Sequence, residues 1–187
     1  MKFEEILRRI KEVKIQGARN IAIAGLKAYS MKPTKETARK LLSLRKTEPA
    51  LKNALNYAEK YSVKKALEHF EFSKEEIKRI GWKVVKTRVF THCHSSHVID
   101  ILKEAKKRGK RFEVYNSETR PLYQGRRTAR ELARARIPVT MVSDLEAGDV
   151  LTKGGEIKKA DVMFIGADAV LKNGNVINKV GSGMLAE

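Results

Sequence analysis

Between Val89 and Gly125 the chain reads as strand, helix, strand, and this run limits the possible folds more than any other. Val89-Phe90-Thr91 is a short β-rich stretch that ends in His92-Cys93-His94-Ser95-Ser96. A helical spacing follows, with Val98, Ile101, Leu102 and Ala105 on one face. After Gly109 a second apolar run, Phe112 to Tyr115, empties into Glu118-Thr119-Arg120-Pro121. Strands joined through a helix lie parallel. Open parallel sheets bind ligands in the crevice at the carboxyl ends of their strands. Cys93, the one cysteine, stands at the first such end.

Upstream, residues 1–80 carry the helical period. Phe3, Ile6, Leu7, Ile10 and Val13 form a first stripe, and Gln16-Gly17-Ala18-Arg19 interrupts it. The next helix is rich in small residues, and Ala22, Ala24, Gly25 and Ala28 would admit another backbone closely. Pro33-Thr34 opens a third helix, and Thr47-Glu48-Pro49 restarts the chain with Pro49 in a first turn. Val63, Ala66, Leu67 and Phe70 form a further stripe, and Ser73-Lys74-Glu75-Glu76 has the pattern of a new helix start. Gly81 ends the helical period and is the expected boundary between a helical domain, 1–80, and an α/β domain, 81–187.

Beyond Gly81, strands are expected at 87–92, 112–116, 138–142 and 161–165, and helices at 96–108, 124–135 and near 144–150. Asp144 has the chemistry to cap the last of these. Lys172-Asn173-Gly174-Asn175 signals a hairpin. A strand–helix chain that stops as a helix starts, at Met184-Leu185-Ala186-Glu187, is expected to be cut short.

A formal charge of +18 over 187 residues could serve nucleic acid, an acidic protein or a phosphorylated substrate. It also suits a thermophile surface, being 33% charged with Gln16 and Gln124 as its glutamines. No nucleic-acid motif accompanies the charge, and acids interleave with bases, as in Lys103-Glu104-Ala105-Lys106, so nucleic acid is not the expected partner. A single cysteine suits a reducing, cytoplasmic setting. No apolar run approaches the roughly 18 residues of a membrane span, and the N-terminus lacks a signal-peptide core.

Four strand ends collect polar residues: His92-Cys93-His94-Ser95-Ser96, Glu118-Thr119-Arg120, Ser143-Asp144 and Gly166-Ala167-Asp168. A helix start beside Cys93 would favour its thiolate. Asp168, following Gly-Ala, could enter a tight crevice and, once desolvated, stay protonated as an acid. Such a thiol and carboxyl suit proton transfer without a metal or cofactor. Either residue could also be structural, Cys93 as a small apolar side chain and Asp168 as a cap. Cys93, His94 and His97 lie close enough in sequence to suggest zinc, yet they match no standard ligand spacing. Ser95 and Ser96 can cap a helix or offer hydrogen bonds to phosphate, as can Gly181-Ser182-Gly183. No Walker loop or GxGxxG is present, so ATP and dinucleotides are poor candidates.

Thr91-His92-Cys93-His94-Ser95, Glu118-Thr119-Arg120-Pro121-x-x-Gln124-Gly125, Gly166-Ala167-Asp168 and Asn178-Lys179-x-Gly181 occur in this order. As a set they resemble the superfamily of initiation factor 2B subunits and sugar-phosphate isomerases, and most of all its archaeal ribose-1,5-bisphosphate isomerases. The resemblance is strong from about Val89 onward and weaker in the helical part. It implies a helical N-terminal domain before a Rossmann-like, mostly parallel sheet domain. It further implies an aldose–ketose isomerase converting ribose 1,5-bisphosphate to ribulose 1,5-bisphosphate in AMP metabolism, without a cofactor. Cys93 and Asp168 would be the catalytic pair. Asn178 and Lys179 would contact the sugar phosphate, and Glu118, Arg120 and Gln124 would line the same site. Gly17, Ala18 and Arg19 stand at the family's N-terminal phosphate loop, with Gln16 where the isomerases carry Arg, so a bidentate donor is missing there. A homo-oligomer, dimer or hexamer, and an AMP activator are also implied. The same family contains methylthioribose-1-phosphate isomerases and non-catalytic regulatory subunits of initiation factor 2B, and both remain alternatives.

Overall fold

The computed structural model describes residues 1–46, 48–152 and 158–187. Thr47, part of the expected restart before the fourth helix, lies outside the described residues. By internal contacts the chain divides into two compact units, Met1–Lys74 with Asp168–Ile177, and Glu75–Ala167 with Asn178–Glu187. The division falls within a helix ahead of Gly81, and a segment that reads as part of the α/β region clusters with the helical residues.

The first unit is built from α1 (Phe3–Lys11), α2 (Ala18–Met31), α3 (Lys35–Leu44), α4 (Pro49–Lys60) and the start of α5 (Val63–Gly81). Ile6, Leu7 and Ile10 of α1, Ile21 of α2, Leu41 of α3 and Leu51 and Leu55 of α4 meet in one buried cluster. The small-residue face of α2 is used as its composition suggests. A Cβ at Gly25 would lie 2.2 Å from Leu51 Cδ1, so glycine is what lets α4 approach. Thr34 caps α3 by accepting from Thr37 N–H at 3.1 Å, and Pro49 occupies the first turn of α4. The expected helix start at Ser73 does not occur, because α5 runs unbroken from Val63 to Gly81. No Gly or Pro interrupts residues 63–80, so propagating a formed helix is favoured over nucleating a new one. A hairpin of β5 (Ala169–Val170) and β6 (Val176–Ile177), turning at Asn173-Gly174, belongs to this unit.

The second unit is a four-stranded parallel sheet of β1 (Arg88–Thr91), β2 (Glu113–Ser117), β3 (Val139–Val142) and β4 (Val162–Phe164), in the order β3-β2-β1-β4. Helices α6 (Ser96–Lys107) and α7 (Gln124–Arg134) connect the first three strands. Two shorter helices, α8 (Ala147–Thr152) and α9 (Ser182–Ala186), complete the unit. Strand alternation supplies both cores. Val89 and Val114 join Leu102 of α6 and Leu132 of α7 on one face, while Phe90 and Tyr115 join Val150 of α8 and Leu185 of α9 on the other. A parallel sheet covered on both faces needs such doubly apolar strands. Strand order reverses between β1 and β4, which places the ligand crevice of this fold at their carboxyl ends. Among the described residues no helix is long and apolar enough to cross a membrane.

Candidate active site

At the end of β1, His92 is buried and fully engaged. Its Nδ1 lies 2.6 Å from Ser117 Oγ and its Nε2 3.0 Å from the Val180 carbonyl oxygen. A carbonyl can only accept, so Nε2 carries a hydrogen toward Val180, and Nδ1 shares a hydrogen bond with the Ser117 hydroxyl. One imidazole thereby joins the ends of β1 and β2 to the segment before α9. Gly181, at φ 96°, passes so near that a Cβ there would lie 3.4 Å from His92 Nε2.

Cys93 follows in the left-handed region, at φ 68°. Its N–H donates to Thr119 Oγ1 at 2.9 Å, and its carbonyl accepts from Thr128 Oγ1 at 2.8 Å. Thr119, at φ 64°, is held in turn by Asp144. One carboxylate oxygen accepts from Thr119 N–H at 2.8 Å and the other from Arg120 N–H at 2.7 Å. Asp144 therefore braces the β2 loop and does not cap α8 as expected. Ser143 closes the turn that leads into α8, its Oγ accepting from Glu146 N–H at 3.3 Å. Burial raises the Asp144 pKa, but the N–H groups of Arg120 and Thr119 and the Ser117 hydroxyl more than offset this, and it ends below the ordinary range.

Because the Thr128 hydroxyl gives its hydrogen to Cys93, His94 Nδ1 must donate to Thr128 Oγ1, at 3.1 Å. His94 Nε2 faces Glu131 at 3.7 Å. Burial, aided by Arg127 and Lys103 and opposed by Glu131, holds the His94 pKa below its usual value. Ser95 caps α6, accepting from Val98 N–H at 3.4 Å, as its position suggests.

Left-handed non-glycine residues gather here: Cys93, Thr119 and Tyr123 lie within two adjacent strand-end loops. Backbone strain of this kind concentrates where function fixes geometry. Gln124 begins α7, and its buried Oε1 has no hydrogen-bond partner among the described residues. Gly125 lets α7 press on β2, since a Cβ there would lie 1.8 Å from the Ser117 carbonyl oxygen. Glu118 lies 3.7 Å from Arg126, and the guanidinium groups of Arg120 and Arg126 sit 5.1 and 3.9 Å from the Tyr123 ring centre. Across the switch point, a Cβ at Gly166 would lie 3.2 Å from Ser95 Cβ and 3.4 Å from Asn178 Oδ1. Asn178 Nδ2 also donates to Ser182 Oγ at 2.9 Å. Lys179 is half-buried beside it.

Cys93, Glu118, Arg120, Gln124, Asn178 and Lys179 thus belong to the sheet unit, the first four in segments that follow β1 and β2 and the last two in the segment that follows β6. Gly17, Ala18, Arg19 and Asp168 belong to the helical unit. Gly17 precedes α2 at φ 86°, and Arg19, in the first turn of α2, pairs with Glu71. Asp168 opens the hairpin, its N–H donating to the Ile177 carbonyl at 2.8 Å. It is exposed, in contrast to the tight crevice expected of it. In the same unit Arg45 pairs with Glu48 at 2.9 Å. Burial raises the Glu48 pKa against the pull of Arg45, with the charge of Asp168 adding to the rise. Sequence reasoning gave no role to Ser117 or Thr128 and misread Asp144. Hydroxyls that brace a loop across strands leave no local spacing to read.

A family model, the initiation factor 2 subunit family, matches residues 27–187. The chain belongs to that family. Among its curated relatives is a ribose 1,5-bisphosphate isomerase of Archaeoglobus fulgidus, 32% identical over 98% of the chain. Another, a translation initiation factor eIF-2B subunit 2-like protein of Pyrococcus furiosus, is 32% identical over 99% of the chain and 72% of its own length. The chain spans 66% of the length of the Archaeoglobus relative, a little under two thirds. Among solved structures, the translation initiation factor eIF-2B of Pyrococcus horikoshii matches with a TM-score of 0.86 and 28% identity, covering 98% of this chain and 72% of that one. Membership agrees with the parallel sheet and with the motif set at its strand ends.

Proposed function

We propose that this family member is an aldose–ketose isomerase acting on ribose 1,5-bisphosphate, with Cys93 as its proton-transfer residue. The carrying observation is the fixed left-handed backbone of Cys93 at the β1 end, bonded on one side by Thr119 and on the other by Thr128. Proton abstraction from carbon needs a base held at one place, and this arrangement holds it. The name of the Archaeoglobus relative supports the substrate.

The phosphate on C1 prevents simple opening of the sugar ring. An acid, assigned to Asp168, protonates the ring oxygen as its bond to C1 breaks. Cys93, as thiolate, takes the C2 proton, leaving a C1–C2 enol phosphate. The Cys93 thiol then returns that proton to C1 while the C2 hydroxyl proton passes back to the Asp168 carboxylate, so both groups regain their starting states. The role of Asp168 rests on the resemblance, and because this carboxyl is exposed, substrate must supply the desolvation that keeps it protonated. Asn178, Lys179 and Arg120 bind phosphate in this reading, and Glu118 and Gln124 orient the sugar.

The relative named as an eIF-2B subunit is as similar in identity, and it supports a second reading as a binding subunit without turnover. Incubation with ribose 1,5-bisphosphate separates the two. The isomerase forms ribulose 1,5-bisphosphate, and a Cys93→Ser variant loses about 100-fold or more of that rate. Folded wild-type protein without turnover supports the binding subunit.

A further inference from the structure

At the amino end of the sheet, away from the strand ends that hold Cys93, lies a cleft of about 930 Å³. Lys83, Val85, Lys86, Thr87, Arg88, Lys110, Arg111 and Asp161 line it. Five cations thus face one carboxylate. Asp161 is already committed, accepting from Arg88 through both oxygens, at 2.6 Å to Nη2 and 3.2 Å to Nε, and from the Arg88 N–H at 2.9 Å. Lys110 is tied down by donating to the carbonyls of Lys83 and Val85 at 2.8 and 2.9 Å. Two cations are therefore fixed in the wall, while exposed Lys83, Lys86 and Arg111 stand around it with no ion pair among the described residues. Helix α6 ends on this side, because a helix between parallel strands runs against them, and it adds exposed Lys106 and Lys107.

Elsewhere on the chain some bases meet acids one to one, as in Arg79–Glu76, Arg108–Glu104 and Arg127–Glu131. Here like charges share one concavity, which costs stability unless an anion neutralises them.

We propose that this cleft binds a small polyanion with several phosphates in a row, such as a polyphosphate chain or the phosphate tail of a nucleotide. Its volume lies within the range of small-ligand clefts, roughly 300–1,000 Å³. Val85 is the one apolar residue among those that line it, so charge dominates what the cleft offers a ligand. The ligand is recognised by charge and by the guanidinium forks of Arg88 and Arg111. The proposal does not rest on the isomerase reading, since it uses residues at the other end of the sheet.

Calorimetric titration with inorganic tripolyphosphate, and separately with orthophosphate, tests it. Wild-type protein is expected to bind tripolyphosphate at least about tenfold more tightly than orthophosphate, with the difference shrinking as salt rises. The double variant Lys86→Glu/Arg111→Glu, checked for an unchanged circular dichroism spectrum, should lose that binding by about tenfold or more. Lys52→Glu, on the exposed face of α4, should retain it. Equal affinity for the two anions overturns the proposal, as does tripolyphosphate binding that persists at the wild-type level in the double variant. So does an affinity that grows with the length of an RNA oligonucleotide and exceeds that for tripolyphosphate, which would make the surface a nucleic-acid track.

Discussion

Cys93 illustrates how a residue acquires a function from groups that do no chemistry themselves. Its main chain is held by two threonine hydroxyls, and the loop carrying one of them is held by Asp144. Removing Asp144 leaves two N–H groups without acceptors, so Asp144→Ala is expected to destabilise the protein by about 1–3 kcal/mol in chemical unfolding. Asp144→Asn should do nearly as much, because it loses one of two charge-assisted acceptors. The folded-state pKa of Asp144 lies below its unfolded value near 3.8. Its contribution is therefore complete above about pH 4 and disappears as pH falls through the lower folded value. His94 behaves analogously at higher pH. Its folded pKa is depressed from 6.5, so the folded state resists protonation, and stability present above 6.5 falls as pH is lowered toward the folded value. Melting temperature recorded from pH 7.5 to 5 should decline, and His94→Asn should reduce that slope. An unchanged slope would show that His94 is not the group being titrated.

At the scale of elements, glycine placement carries more information than apolar period. Gly125→Ala would drive a Cβ into the Ser117 carbonyl, a main-chain group that cannot swing aside as a side chain can. Loss of more than about 3 kcal/mol, or failure to fold, is expected. At α5 the prediction runs the other way. Ser73→Ala should leave unfolding midpoints within about 0.5 kcal/mol of wild type, because Ser73 is inside a continuous helix. A true N-cap there would cost about 1 kcal/mol. Most elements were legible in the sequence because their faces obey one period each. The close approach at Gly25, the cap at Ser95 and the hairpin at Asn173-Gly174 could also be read, since each needs a particular residue at one position. What could not be read depends on contacts across strands. The capping pattern at Ser73 was overridden by helix propagation. Asp144 found better partners in the loop after β2 than in its own helix. Ser117 and Thr128 matter only because three loops converge on them.

For the molecule as a whole, the parallel sheet with reversal between β1 and β4 places a crevice at the ends of those strands, where Thr91-His92-Cys93 and Gly166-Ala167-Asp168 follow. The two residues proposed for catalysis belong to different compact units, Cys93 to one and Asp168 to the other. Five bases line the cleft at the amino end of the sheet, where no step of the isomerisation is assigned. The most direct test of the central claim is turnover of ribose 1,5-bisphosphate in heavy water by wild type, Cys93→Ser and Asp168→Asn, each confirmed to be folded. The account predicts ribulose 1,5-bisphosphate from wild type, with exchange at C1 wherever the thiol proton mixes with solvent. Both variants should fall by about 100-fold or more. Turnover that survives Cys93→Ser at the wild-type rate would contradict the account.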